Sequence, residues 1–168
     1  MIKPPEEGTM TPEDKLLQNI HSLIGEIGQK QVLLRFFLLV QNTDWQVYQN
    51  LGEPGNTMML FNPQTAAHLR IVIKTRQRMY ITGRPRRWVR FFLTESEFKS
   101  CDYLVAYFMD YNGFYVVPKT DLEEVQAGEL VRWRFTLTMN NQGEPHPRCA
   151  QYKDAWQSLH PDFANKQI

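Results

Sequence analysis

Cysteine is scarce: Cys101 and Cys149 are the only two, they lie far apart, and neither belongs to a CxxC or a Cys/His pair. That pattern excludes a disulfide framework and deprives a tetrahedral zinc site of the close-spaced ligands it needs, while reduced thiols fit a cytoplasmic setting. His21, His68, His146 and His160 are equally scattered, so no metal ligand set is expected. Long apolar runs are missing too. The longest, residues 32–40, is interrupted by Arg35 and falls far short of the ~20 residues that span a bilayer, so no membrane partner is expected. MIKPPEEGTM at the start has neither the apolar segment nor the small-residue cleavage pattern of a secretory leader. The sequence also contains no GxGxxG, no GxxxxGK[ST] and no GxSxG, which removes nucleotide-cradling loops and a nucleophile elbow. No organic cofactor is expected. Acids are missing from one place in particular, residues 70–90, where Arg70, Lys74, Arg76, Arg78, Arg84, Arg86, Arg87 and Arg90 stand without a single Asp or Glu. Eight of the 19 basic residues lie there, leaving 11 basic against 18 acidic elsewhere, so a net charge of +1 conceals a basic stripe on an acidic body.

What remains is the composition of a globular protein: 42% apolar and 22% charged over 168 residues, enough for one domain with a real core. The expected organisation is a flexible tail over 1–10, a single domain over 11–160 and a second tail over 161–168. Thr11, Pro12, Glu13 and Asp14 supply a cap, an N1 proline and first-turn acids, and the apolar spacing of Leu16, Leu17, Ile20, Leu23, Ile24 and Ile27 predicts a helix over 12–27 that ends near Gly25 or Gly28. Residues 29–41 are apolar nearly all round and read as a core helix covered on several sides. Strand patterns follow at 45–49, 57–61, 69–75, 79–81 and 88–93. A brief helix capped by Thr94 leads to the two most apolar strands, 103–109 and 114–117, which read as central. A short helix near 121–125, an alternating strand over 131–137 and a closing helix docked through Trp156 complete the chain. Helices first, then strands with small helices between them, predict a mixed α/β (α+β) fold with a mixed central sheet flanked by helices.

Three segments carry a resemblance: NTMMLFNPQTAAHLRIVIKT (56–75), DYLVAYFMDYNGFYVVP (102–118) and YKDAW (152–156). Together they resemble the restriction-endonuclease-like, PD-(D/E)XK nuclease superfamily, over about 28–156. The resemblance implies a hairpin whose first strand opens with an acid, a second ligand two residues before a lysine, and a further acid near the start of the core helix. Here those places hold Thr57 beside Asn56, Val72 and Gln29, and only Lys74 survives. Phosphodiester hydrolysis of this type needs Mg²⁺ on hard oxygen ligands, and a hydroxyl, an isopropyl group and an amide supply no anionic oxygen. The resemblance therefore implies a degenerate member, a pseudoenzyme without metal.

Rival readings remain beside that one. Lys74 can be an ordinary strand lysine, and Gln29, Thr57 and Val72 ordinary helix and strand residues. Acids relocated from Glu26, Asp44 or Glu53 would instead restore a Mg-dependent DNA endonuclease. In KTRQRMYITGRPRRWVRFF, arginines alternate with Tyr80, Trp88 and Phe91, and Gly83 with Pro85 predicts a hairpin tip projecting Arg84, Arg86 and Arg87. Guanidinium groups pair with phosphates bidentately, so Arg76, Arg78, Arg84, Arg86, Arg87 and Arg90 read as a nucleic-acid contact, DNA before RNA, within a DNA-processing or defence complex. The same arginines would equally serve a protein-interaction or inhibitor subunit facing an acidic protein partner, or a homodimer, or pair with acids of this chain.

Overall fold

A computed structural model describes residues 12–49, 57–77, 80–81, 87–166 and 168. The described residues open on one continuous helix, α1 (Pro12–Val40), with no break at Gly25 or Gly28. A mid-helix glycine costs about 1 kcal/mol relative to alanine, too little to end a helix whose neighbours are good helix formers. Gly28 has a packing reason as well: a Cβ there would lie 1.7 Å from Thr75 Oγ1. Its lack of a side chain lets α1 settle on the sheet. Downstream of it Val32, Phe36 and Leu39 are fully buried, whereas Leu34, Phe37 and Leu38 on the other side are exposed. The segment expected to be covered on several sides is covered on one.

After α1 come β1 (Gln46–Gln49), β2 (Thr57–Phe61), β3 (His68–Arg76), β4 (Tyr80–Ile81), β5 (Arg87–Leu93), α2 (Glu95–Ser100), β6 (Tyr103–Phe108), β7 (Gly113–Pro118), β8 (Glu123–Ala127), β9 (Leu130–Met139) and α3 (Pro147–Ala150). The expected mixed sheet is present in the order β1-β2-β3-β6-β7, with β3 parallel to β6 and the other neighbours antiparallel. β3 is its central strand. β7, read as central, lies at the edge, and its apolar side chains are buried because residues 152–154 run alongside it, Val116 N–H donating to the Tyr152 carbonyl and Asp154 N–H to that of Phe114. The expected helix near 121–125 is instead a 3-10 turn (Lys119–Asp121) followed by strand β8.

Alternation along β3 and β6 sorts their side chains between two cores. Ile71, Ile73, Val105 and Tyr107 meet α1, together with Trp156, Leu159 and Phe163. Val72, Leu104, Ala106 and Phe108 meet a second, wholly antiparallel sheet ordered β4-β5-β9-β8, which contributes Val89, Phe91, Leu93, Phe135 and Leu137. The result is three layers: α1, the mixed sheet, and the second sheet with α2 at its margin. Trp156 docks as expected, edge-on to Phe36 at 5.8 Å, but from a 3-10 turn rather than a closing helix. Nor do residues 161–163 form a loose tail. Phe163 is fully buried, and the Trp45 indole N–H donates to Asp162 Oδ2 at 2.8 Å.

Candidate nucleic-acid interface

The hairpin register brings the surviving lysine and two of the substituted positions to one place. Thr57 lies directly across from Val72, and Lys74 follows two residues along β3 on the same face, the one turned away from α1. Gln29 does not join them, because it sits on α1, which packs against the opposite face of the sheet. Val72 is 1% exposed within the core between the sheets. Neither a buried isopropyl group nor a threonine hydroxyl can serve as an anionic ligand. One carboxylate does reach the lysine: Glu97 on α2 accepts from Lys74 Nζ at 2.7 Å. Its other oxygen accepts from the Thr94 N–H and hydroxyl, completing the capping box that starts α2. Burial alone would raise the Glu97 carboxyl, but the Lys74 hydrogen bond, the Thr94 N–H, the lysine charge and the Thr94 hydroxyl outweigh it and hold it below the usual carboxylate range. Both oxygens are thus committed to neutralising a lysine and capping a helix. Glu26 and Asp44 lie exposed elsewhere, Glu53 falls outside the described residues, and among the described residues no three His, Cys, Asp or Glu side chains converge. The residues present do not fit a catalytic Mg²⁺, which needs several hard oxygens in near-octahedral array.

Near the start of the same strand, Arg70 grips Asp102 through its backbone N–H, Nε and Nη2, the last at 3.0 Å. Burial pushes the Asp102 carboxyl up and the Arg70 contacts pull it further down, so its net shift, like that of Glu97, is downward. A depressed carboxyl stabilises the fold above its unfolded pKa, near 4, and that contribution is lost as pH falls through the folded value. Asp154, raised by burial, has the opposite sign and gains as pH falls. The thermal midpoint of the wild type is therefore expected to drop between about pH 5 and about pH 3, and that of Glu97→Gln to drop less. Identical acid profiles would show that Glu97 is not held as described.

The basic stripe is split by the fold. Arg76 ends β3, exposed; Arg78, Arg84 and Arg86 fall outside the described residues, as does the expected hairpin tip, while Tyr80 pairs with Trp88 and Ile81 with Arg87 in an antiparallel β4–β5 ladder. Arg87 donates to the Tyr111 hydroxyl at 2.7 Å, and the exposed Arg90 guanidinium lies 4.3 Å from the centre of the Trp88 ring. In contrast to Arg70, neither Arg76, Arg87 nor Arg90 forms an ion pair with a described carboxylate. Register extends this surface onto β9: Trp88 stands opposite Thr138, Arg90 opposite Thr136 and Phe92 opposite Arg134, all on the outer side of the second sheet because Val89, Phe91, Phe135 and Leu137 fill the inner one. Exposed Arg132 continues the row, and Arg134 is held by Glu123 at 2.6 Å. Two features escape sequence reasoning. Glu97 announces itself only as a capping acid, and the partnership of β5 with β9 joins residues 40 or more positions apart, which no local pattern reports.

The chain is similar in structure to the solved bacterial homing endonuclease I-Ssp6803I, with a TM-score of 0.54 and 20% sequence identity over 85% of this chain and 93% of that one. Its mixed sheet with helical cover is thus a nuclease-like fold. No family model matches the sequence, and no curated protein matches it. Among the described residues no helix is long and apolar enough to cross a membrane.

Proposed function

We propose that this chain binds nucleic acid, duplex DNA in preference to RNA, on the outer face of its second sheet and the adjoining β4–β5 hairpin, and that it does not hydrolyse what it binds. The observation that carries the reading is the pair of exposed arginines, Arg90 and Arg132, on a sheet face also offering Thr136 and Thr138, with exposed Arg76 at the end of β3, none of the three meeting a described carboxylate. Guanidinium groups without internal counter-charges are available to phosphates, and hydroxyls add neutral donors that fix register on the backbone. β5 and β9 are the inner strands of a four-stranded sheet, so the face offers a broad row of guanidinium and hydroxyl groups to phosphates of the backbone. The likeness to a homing endonuclease supports a scaffold suited to DNA. Catalysis is a separate matter. Thr57, buried Val72 and the committed Glu97 support reading the chain as a degenerate relative of the PD-(D/E)XK nucleases, in which Lys74 has become a structural cation.

Fluorescence anisotropy with a labelled duplex of arbitrary sequence tests the binding. The expected result is an association constant that falls log-linearly with salt, with a slope of about −2.7 to −4.5 if three to five phosphates are neutralised. Absence of binding at ~50 mM salt, or binding indifferent to salt, would remove the proposal.

A further inference from the structure

α1 carries a second apolar stripe that the fold leaves uncovered. Leu16, Ile20, Leu23, Ile27, Leu34 and Phe37 are 60, 42, 55, 39, 54 and 54% exposed. Their spacing alternates between four and three residues, with Lys30 filling the one polar slot, so the pattern runs for three heptads at a mean period of 3.5. At 100° per residue this stripe points about 170° away from Val32, Phe36 and Leu39, which face the sheet. A single amphipathic helix has one such face. Here there are two, and only one is used.

We infer that the outward stripe is a homodimer interface in which α1 packs antiparallel against α1 of a second copy about a two-fold axis near Ile27. The 3.5-residue period is that of helices packed knobs-into-holes. It differs from a helix lying on lipid, whose polar face is rich in Lys and Arg: between residues 15 and 30 this helix has only Lys15 and Lys30 against Glu26. Charge selects the direction. A parallel pair in register would set Lys30 against Lys30 and Glu26 against Glu26, whereas the antiparallel pair brings Lys30 within a turn of Glu26 of the partner subunit. It also sets Leu16 beside Leu38 of the partner subunit and Ile20 beside the partner's Leu34, and Ile27 meets its own copy. Area agrees. With the flanking Leu17 and Leu38, 57 and 39% exposed, eight side chains at about half of ~180 Å² each offer on the order of 700 Å², close to the ~800 Å² per partner of a standard interface.

Sedimentation equilibrium of the full chain over a wide micromolar range tests this, independently of nucleic-acid binding. The expected mass is twice the monomer's 19.9 kDa. Ile20→Glu with Leu23→Glu should return it to 19.9 kDa with an unchanged circular-dichroism spectrum, since both side chains are exposed in the monomer. Ile27→Cys should become a disulfide-linked dimer under mild oxidation, a clean readout because Cys101 and Cys149 are buried. A wild type that stays monomeric, a dimer that survives the glutamates while Ile27→Cys fails to cross-link, or a monomer that instead binds phospholipid vesicles through this face would each overturn the inference.

Discussion

Replacing Arg87, Arg90 and Arg132 together by alanine is expected to weaken duplex binding by about 10²- to 10³-fold at ~100 mM salt and to make the salt slope shallower by about 2.7, or 0.9 for each phosphate no longer neutralised. Arg90 and Arg132 sit on the outer side of the second sheet, Arg87 stands at the β4–β5 end of β5 with its guanidinium on the Tyr111 hydroxyl, and none of the three meets a described carboxylate. Removing them should leave the fold intact. Among the described residues only the Arg87 bond to the Tyr111 hydroxyl and the stacking of Arg90 on the Trp88 ring disappear, each worth about 1 kcal/mol or less near the surface. Anisotropy on the triple variant, with circular dichroism as control, checks both parts. Lysine in place of the same arginines should keep most of the slope and give up part of the affinity, since it keeps the charge but not the fork that grips a phosphate. A triple-alanine variant that binds like the wild type would move the interface elsewhere, toward the hairpin tip or away from this sheet.

Gly28→Ala is expected to destabilise the protein by about 2–3 kcal/mol, although alanine is the better helix former by ~1 kcal/mol. The added methyl would meet Thr75 Oγ1 at 1.7 Å, Cβ at 2.8 Å and Cγ2 at 2.9 Å. Thr75 lies in the central strand and is 6% exposed, so it cannot swing aside and α1 must lift. Thr75→Ala in the same chain should recover part of the stability, removing the two γ atoms but leaving the tight Cβ approach. Thr75→Ala alone should be near neutral, because the Thr75 hydroxyl is buried without a hydrogen-bond partner among the described residues. Urea unfolding of the four proteins gives the coupling directly. Additive effects would mean that α1 does not cross the sheet at Gly28.

The hairpin register is legible in the sequence because alternation and turn residues are local. NPQT ends β2 and reopens β3, so Thr57, Val72 and Lys74 fall on one face in sequence as in space. The antiparallel pairing of β4 with β5 is legible for the same reason. Helix α1 is misjudged at its glycines because composition cannot distinguish a glycine that ends a helix from one that admits a neighbour, and Gly28 is the second kind. Its apolar residues all look like core because periodicity reveals a face and not what covers it; Leu23 and Phe37 are over half exposed. Non-local pairings are the least visible. The second sheet closes between β5 and β9, and Phe163 reaches the core beside α1 from a segment whose polar flanks resemble a tail. The candidate site divides along the same line. Its arginines are visible in sequence, while the carboxylate that neutralises Lys74 comes from a helix 23 residues further on.

The central claim is binding without hydrolysis, and a gel-shift assay of one labelled duplex, run in EDTA and in Mg²⁺, tests both halves at once. The expected result is a retarded complex at low salt in either lane, from which the DNA is recovered at full length after protein removal. Free duplex in both lanes, or shortened DNA in the Mg²⁺ lane that is absent with Lys74→Ala, would contradict it.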